Sequence, residues 1–149
     1  MKFYKTPEDF LKHEKRASPL VFTNGCFDIL HVGHARYLKA SRALGNSLVI
    51  GLNSDASVKR LKGPSRPIHA EQLRAEMLLS LACVDAVVLF DEDTPQKIIE
   101  KIRPDILTKG GDYQKSSIVG AAFVESVGGK VVVLPFEDGF STTNILGRL

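Results

Sequence analysis

The most informative segment of this chain is Thr23-Asn24-Gly25-Cys26-Phe27-Asp28-Ile29-Leu30-His31-Val32-Gly33-His34. It follows a short apolar run, Leu20-Val21-Phe22, and enters an amphipathic pattern at about residues 31–44, so it is predicted to connect a buried strand to a helix. A helix N-terminus offers unpaired N–H groups and a partial positive charge, and Gly25 lets the backbone approach an anion closely. The segment therefore predicts a phosphate-binding site.

Two histidines open the predicted helix. His31 and His34 are three positions apart, so they share one face of the first turn. Both imidazoles can donate hydrogen bonds to phosphate oxygens, and Gly33 between them has no side chain that would crowd a ligand. A zinc site is the weaker alternative because the sequence offers no third and fourth ligand at suitable spacing. Simple helix capping is the other alternative, and the complete motif favours polyphosphate.

The rest of the chain alternates short apolar runs with helical patterns. The runs lie at residues 20–22, 48–52, 86–90, 106–107 and 131–134, and the helical patterns at about 31–44, 70–82, 95–102 and 118–127. This order predicts an α/β fold with a doubly wound, five-stranded parallel sheet of the Rossmann-like kind, with ligands at the carboxyl ends of its strands. Thr6-Pro7 opens a helix through about residue 16, so residues 1–18 are predicted to form an N-terminal helical extension before a single domain at 19–149.

The composition excludes several classes of protein. The 149 residues are 44% hydrophobic and 25% charged, which argues against disorder, collagen and low-complexity repeats. A formal net charge of +3 is too small to predict nucleic-acid binding. Cys26 and Cys83 form no disulfide or zinc pattern, and no apolar run is long enough for a signal peptide or a membrane span. We therefore expect a cytoplasmic protein without a membrane partner.

A basic segment lies at residues 59–67, where the cations are Lys59, Arg60, Lys62 and Arg66. It has no acidic neighbour, and its glycine and prolines predict an irregular, mobile loop that closes over two anionic substrates. A solvated basic loop is the alternative. Lys62 is the strongest candidate for a phosphate contact, and Arg74 is a candidate helper from the following helix.

Two later motifs are predicted to complete the site. Lys109-Gly110-Gly111-Asp112-Tyr113 follows the fourth predicted strand, and its glycines allow the backbone to lie close to a ribose or a base. Ser141-Thr142-Thr143, which follows Gly139, is predicted to cap the last helix and to bind the β- and γ-phosphates of a nucleotide. An ordinary strand-to-helix turn and simple capping by hydroxyls are the respective alternatives.

Taken together, these motifs resemble a known family. The string Gly25-x-Phe27-Asp28-x-x-His31-x-Gly33-His34 resembles the signature of the cytidylyltransferase-like nucleotidyltransferase superfamily, and the resemblance extends from Leu20 to Leu146. The motifs that narrow it are Asn53 to Gly63, Arg66-Pro67, Asp91 to Pro95, Lys109 to Tyr113 and Gly139 to Ile145. Together they resemble the adenylyltransferases of ADP-heptose synthesis.

This resemblance implies transfer of AMP from ATP to D-glycero-D-manno-heptose 1-phosphate, giving ADP-heptose and pyrophosphate for lipopolysaccharide core or related heptose glycans. It implies Mg²⁺ carried on the triphosphate, with no dedicated protein site, and a homodimer. Such domains are often fused to a sugar kinase, of which this sequence contains nothing, so a separate heptose kinase is the expected functional partner.

The resemblance and the patterns assign three groups of site residues. The catalytic group is His31, His34 and Lys62. The nucleotide- and phosphate-binding group is Gly25, Cys26, Phe27, Gly33, Lys109, Gly110, Asp112, Ser141, Thr142 and Thr143. The group that orients substrate or magnesium is Asp28, Lys59, Arg66 and Arg74. For Asp28 two roles remain open, orientation of the N–H groups of the first helical turn or positioning of magnesium and the sugar.

Three other functions are considered. Glycerol-3-phosphate cytidylyltransferase shares the His-x-Gly-His and Ser-Thr-Thr segments, but it carries an arginine in place of Phe136 and a threonine in place of Cys26. Enzymes that form aminoacyl-adenylates need insertions and RNA-binding domains for which the chain has no room. A non-catalytic nucleotide-binding module is disfavoured because all the motifs are intact. Nucleophilic catalysis by Cys26 is not expected, because a phosphate oxygen can attack directly.

Overall fold

A computed structural model describes residues 2–135 and 141–149. Within these residues the strands are β1 (Phe3–Tyr4), β2 (Leu20–Gly25), β3 (Ser47–Asn53), β4 (Ala86–Phe90), β5 (Ile106–Gly110) and β6 (Lys130–Leu134). The helices are α1 (Pro7–His13), α2 (Val32–Arg42), α3 (Asp55–Lys62), α4 (Glu71–Leu79), α5 (Gln96–Ile102), α6 (Ala121–Ser126) and α7 (Thr142–Leu146). A single 3₁₀ turn (Lys115–Ser117) precedes α6. The alternation of strands and helices confirms the predicted α/β class.

The six strands pair in the order β1-β4-β3-β2-β5-β6, and every pair is parallel. The chain builds outward from β2 to β4 on one side and then restarts at β5 on the other, so the strand order reverses between β2 and β5. At this point the ladder between the two strands ends at Phe22 and Leu107, although β2 continues to Gly25 and β5 to Gly110. The separated strand ends leave a crevice, which is where doubly wound folds bind ligands.

Two apolar layers hold the sheet. One contains Phe22 and Val88 with Ile99 of α5 and Val124 of α6, and the other contains Ile50 with Leu38 of α2 and Leu78 of α4. Fully burying an aliphatic or aromatic side chain contributes about 2 kcal/mol. Helices therefore cover both faces of the sheet, and the polar carboxyl edge is left open.

The N-terminal segment differs from the predicted helical extension. Phe3 and Tyr4 form an edge strand by pairing with Val87 and Val88 of β4, so the sheet has six strands where five were predicted. The predicted cap is confirmed, because Thr6 Oγ1 accepts a hydrogen bond from Asp9 N and Pro7 stands in the first turn. The helix ends at His13, about three residues earlier than expected.

The first half of the predicted basic loop is helical. Ser54 caps α3 by accepting a hydrogen bond from Ser57 N, and Val58 is fully buried on the inner face of the helix. Gly63 ends the helix with a positive φ of 101°, which glycine adopts without strain. The prediction of an irregular loop over residues 59–67 was therefore wrong for Lys59–Lys62. Among the described residues, no helix is both long and apolar enough to cross a membrane.

Candidate active site

A cleft of about 430 Å³ opens at the carboxyl edge of the sheet, above the gap between β2 and β5. Nine of the residues predicted for the site line it: Gly25, Cys26, Phe27, Asp28, His34, Lys62, Arg66, Lys109 and Gly110. The cleft thus brings together the end of β2, the start of α2, the last turn of α3 and the end of β5. His31, Gly33, Lys59, Arg74, Asp112 and Ser141 do not line it.

His31 and His34 form the start of α2 by capping each other. His34 N donates to His31 Nδ1 and His31 N donates to His34 Nδ1, each across 3.4 Å. The two rings stack with centroids 3.8 Å apart, and the Phe27 ring meets His34 edge-on at 5.3 Å. Because each Nδ1 accepts a backbone N–H, the hydrogen of each neutral ring lies on Nε2. Capping and ligand binding, which the sequence left as alternatives, are compatible because they use different ring nitrogens.

The surroundings of both histidines lower their pKa values and so favour the neutral form at pH 7. Burial lowers the pKa of His34 to about 4, and the nearby charges of His31 and Lys62 add to this effect. Burial also lowers the pKa of His31. A neutral imidazole with its hydrogen fixed on Nε2 remains a hydrogen-bond donor, so the pair can bind an anion without a prior protonation step.

Gly25 has a steric role next to the histidines. A Cβ atom placed at Gly25 would lie 2.9 Å from Cε2 of the Phe27 ring, which is closer than a carbon–carbon contact allows. Phe27 itself adopts a positive φ of 44°, an uncommon conformation for an aromatic residue. The tight path of the backbone through Gly25 and Phe27 therefore fixes the position of the Phe27 ring, which packs against His34.

Asp28 holds the chain that follows α3. Its carboxylate accepts hydrogen bonds from Arg66 Nε at 2.6 Å, Ile68 N at 2.9 Å and His69 N at 3.0 Å. Burial raises the pKa of this carboxyl, but the two backbone N–H groups and the Arg66 guanidinium outweigh it and lower the pKa overall. The first predicted role for Asp28 is not seen, because its hydrogen bonds go to residues 66–69 and not to the first turn of α2. Its role in positioning magnesium and the sugar stays a prediction.

The basic residues of α3 face different partners. Lys62 lines the cleft, whereas Lys59 is exposed one turn earlier. Arg60 donates to Asp93 Oδ1 at 2.8 Å and to the Asp91 carbonyl, which joins α3 to the loop after β4. The sequence prediction placed these cations beside no acidic residue. In the fold Arg60 is paired through a contact 33 residues away, and Arg66 through Asp28.

Lys109, at the end of β5, and Cys26, directly after β2, both line the cleft. Burial lowers the pKa of Lys109 and raises that of the Cys26 thiol. Lys109 Nζ also lies 5.3 Å from the centroid of the Tyr113 ring, within the range of a cation–π contact. The raised pKa favours the neutral thiol of Cys26, which is a weaker nucleophile than a thiolate.

Arg74 lies behind the cleft and not in it. Its side chain has no exposed surface, and four of its N–H groups donate to protein partners. The sequence predicted a helper role for Arg74 in orienting substrate or magnesium, and the N–H groups of its side chain donate to protein groups behind the cleft.

The cleft also contains residues to which the sequence prediction gave no role. They are Thr23, Asn24, Tyr37, Asn53, Leu61, Asp93, Thr94, Pro95, Tyr113 and Val119. Most follow a strand or lie on a predicted helix face, so the rule that strand ends meet at one edge selects many of them. Tyr37 lies within the helix predicted at about residues 31–44, but its position at the cleft follows from no strand end. Its hydroxyl lies 2.7 Å from Thr23 Oγ1 and donates to Thr108 Oγ1 at 3.1 Å, so it bridges β2 and β5 where their ladder ends.

The remaining predictions concern metal and the last helix. Across residues 2–135 and 141–149 no group of three or more histidine, cysteine, aspartate or glutamate residues is arranged to hold a metal ion. Ser141 Oγ accepts a hydrogen bond from Asn144 N at 2.9 Å, as a helix cap does. Phe136 and Gly139 lie outside the described residues, and phosphate contacts by Ser141, Thr142 and Thr143 stay a prediction.

Comparisons with known proteins agree with the motifs. The family model described as cytidylyltransferase-like matches residues 22–148. The bifunctional protein HldE of Syntrophotalea carbinolica is 58% identical over 142 residues, and that of Geotalea uraniireducens is 56% identical over 140 residues. These matches cover 95% and 93% of this chain, but the chain spans only 29% of the length of either relative.

Solved structures support the fold as well. A lipopolysaccharide core biosynthesis protein from Thermoplasma volcanium is 32% identical with a TM-score of 0.64, and the match covers 79% of this chain and 95% of that one. A pantoate-β-alanine ligase from Francisella tularensis, crystallised with β,γ-ATP and β-alanine, has the same TM-score at 14% identity, covering 98% of this chain and 76% of that one. At that identity the second likeness concerns the fold alone.

Proposed function

This chain belongs to the cytidylyltransferase-like family, and we propose that it transfers AMP from ATP to a sugar 1-phosphate, D-glycero-D-manno-heptose 1-phosphate, with release of pyrophosphate. One observation carries the proposal. The neutral His31–His34 pair opens α2 beside the cleft between β2 and β5, which Lys62 and Lys109 also line. Identity above 50% to proteins named HldE over nearly the whole chain supports the choice of acceptor.

The chemistry required of the protein is positioning and charge stabilisation. An oxygen of the acceptor phosphate forms a bond to the α-phosphorus of ATP while the bond from that phosphorus to the bridging oxygen breaks, and pyrophosphate leaves with the electron pair. Both reactants are anions, so bringing them together in line is a large part of the barrier. No covalent intermediate with the protein is needed, which agrees with a neutral Cys26.

The residues in the cleft and beside it fit distinct parts of this task. The Nε2–H groups of His31 and His34 and the N-terminus of α2 would bind the α-phosphate and the bridging oxygen as charge grows there. Lys62, on the last turn of α3, would neutralise the phosphates from the other side of the cleft. One such preorganised donor is worth about 3 kcal/mol in the transition state, or a factor of about 10² to 10³ in turnover.

Magnesium would arrive with the nucleotide. The carboxylate of Asp28 already has three hydrogen-bond donors, and Asp93 is paired with Arg60. These residues do not form a resident metal site, so the donor set fits a cation held by the triphosphate. When bound there, Mg²⁺ would neutralise charge on the phosphate oxygens.

Three further predictions belong to this proposal. The sugar 1-phosphate would be supplied by a separate kinase, the protein would act as a homodimer, and it would work in the cytoplasm. The relatives are named bifunctional and are more than three times as long as this chain.

The test is a two-by-two assay of pyrophosphate release, with ATP or CTP and with heptose 1-phosphate or glycerol 3-phosphate. We expect turnover with ATP and heptose 1-phosphate. Turnover only with CTP and glycerol 3-phosphate would identify the cytidylyltransferase alternative, and nucleotide binding without pyrophosphate release would indicate a non-catalytic module.

Matched variants locate the activity in the cleft. His34→Asn and Lys62→Ala are each expected to lower turnover by about 10² or more. Lys39→Ala is the control, because Lys39 is an exposed cation in the last turn of α2 and does not line the cleft. Equal activity of all three variants would place the reaction elsewhere.

A further inference from the structure

We infer that Arg74 is a positioning residue. It fixes three of the chain segments that line the cleft relative to one another and does not contact substrate. Its guanidinium donates from Nη1 to the carbonyls of Cys26 at 2.7 Å and Asn53 at 2.8 Å. From Nη2 it donates to Asp55 Oδ1 at 2.7 Å, and from Nε to the His69 carbonyl at 2.9 Å. The side chain is completely buried.

The four partners belong to three separate segments of the chain. Cys26 lies between the end of β2 and the start of α2, in the segment that leads to the two histidines. Asn53 and Asp55 join β3 to α3, the helix that carries Lys62. His69 ends the segment that contains Arg66. Each segment contributes to the lining of the cleft, and Arg74, on α4, is bonded to all of them.

The planar guanidinium is suited to this arrangement. Its N–H groups diverge in a rigid fork, so one side chain fixes the directions of several carbonyl groups at once. Three of the four acceptors are backbone carbonyls, which cannot move without moving the chain. A lysine at this position keeps the positive charge but has a single nitrogen, which cannot reach all the acceptors with the same geometry.

A second set of hydrogen bonds connects the segment after β2 directly to the segment before α4. Asp28, two residues after Cys26, accepts hydrogen bonds from Ile68 N and His69 N, so the segment before α4 is held from both sides. Arg74 connects β3 and α3 to this arrangement, together with the bond of 2.8 Å from Asp55 N to Glu71 Oε2 of α4. Loss of its fork is therefore expected to let α3, with Lys62, shift relative to the start of α2.

The experiment compares Arg74→Lys with Arg42→Lys. Arg42 also joins an aspartate and a backbone carbonyl, with bonds of 2.9 Å to Asp85 and 2.6 Å to the Gly45 carbonyl, but it lies at the opposite, amino edge of the sheet. Both variants carry Cys83→Ala, so that Cys26 is the only thiol. Asp55→Asn, which weakens one arm of the fork, is a third variant in case Arg74→Lys does not fold.

Two readouts are taken well below the melting temperature of each variant. The first is the rate at which a thiol reagent modifies Cys26 in the protein without nucleotide, which reports the order of the β2–α2 segment. The second is kcat and KM for pyrophosphate release from ATP and heptose 1-phosphate, which rests on the proposed function.

For Arg74→Lys we expect faster modification of Cys26 and a kcat lowered by about 10- to 100-fold, as displacements near 1 Å cause, with KM for ATP little changed. Asp55→Asn shows a smaller change in the same direction, and Arg42→Lys lowers the melting temperature without changing either readout.

Other outcomes overturn the inference. A raised KM with unchanged modification of Cys26 would mean direct contact with substrate. A lowered melting temperature with both readouts unchanged would mean a role in stability alone. If the parent protein releases no pyrophosphate from any substrate, the proposed function fails, and the modification rate of Cys26 still decides the role of Arg74.

Discussion

Lowering the pH from 7.5 to 5 is expected to destabilise the protein through His34. In the native protein burial holds the pKa of His34 at about 4, whereas in the unfolded chain it returns to its ordinary value of 6.5. Between these two values the unfolded chain binds a proton that the native state excludes. Stability from this residue is therefore complete above pH 6.5 and is lost as the pH falls toward 4.

The size of the effect follows from the separation of the two pKa values. The whole shift corresponds to about 3 kcal/mol, of which about 2 kcal/mol falls between pH 7.5 and 5. The His34 ring is partly exposed, and solvent screening reduces this amount, so we expect a loss of about 1 kcal/mol over that range. Carboxyl groups, with ordinary pKa values near 4, contribute little there.

The assay is urea unfolding of the wild type and of His34→Asn at pH 7.5 and pH 5. Asparagine keeps an oxygen that can accept the His31 N–H group but does not titrate, so the wild type should lose about 1 kcal/mol more than the variant. Groups that titrate in both proteins cancel in the comparison. Equal losses in the two proteins, or an NMR titration of the His34 ring with its midpoint near 6.5, would refute the reasoning.

Three further outcomes are expected. Asp28→Asn should lower the free energy of unfolding by about 3 kcal/mol because it leaves the largely buried Arg66 without its counter-ion, and urea unfolding measures this; a loss below about 1 kcal/mol would contradict it. Gly25→Ala should lower kcat about tenfold by pushing Phe27 toward the histidines, whereas Gly128→Ala, which adds a Cβ in open space at a φ of 87°, should cost about 1 kcal/mol of stability and no activity. EDTA should abolish pyrophosphate release without lowering the melting temperature of the nucleotide-free protein, and a lowered melting temperature would reveal a resident metal.

The parts of the fold that the sequence predicted are those with a local signal. The buried apolar runs gave β2 to β6, because parallel strands covered on both faces are apolar throughout. Strand β1 was missed because two residues are too few to show a period, and it forms only by pairing with Val87 and Val88. Helix α3 was missed because its charged exposed face obscured the cap at Ser54 and the buried Val58.

The same distinction holds for the candidate site. The motif around His34 and the basic Lys62 were predictable because the residue types at those spacings have few other uses. The partner of Arg66 lies 38 residues away, and Arg74 contacts three segments that precede it by up to 48 residues in the sequence. Such contacts are set by the packing of whole elements, so no local pattern distinguishes a cation that meets substrate from one that supports the backbone.

The reciprocal bonds between His31 and His34 have a consequence for how this protein tolerates change. The two Nδ1 atoms that fix the Nε2–H donor groups are the same atoms that cap the N-terminus of α2. A substitution at either position therefore alters the end of a structural element together with the chemistry, and a partly frayed helix has no functional pair. We therefore expect the other residues that line the cleft to vary more among related sequences than His31 and His34 do.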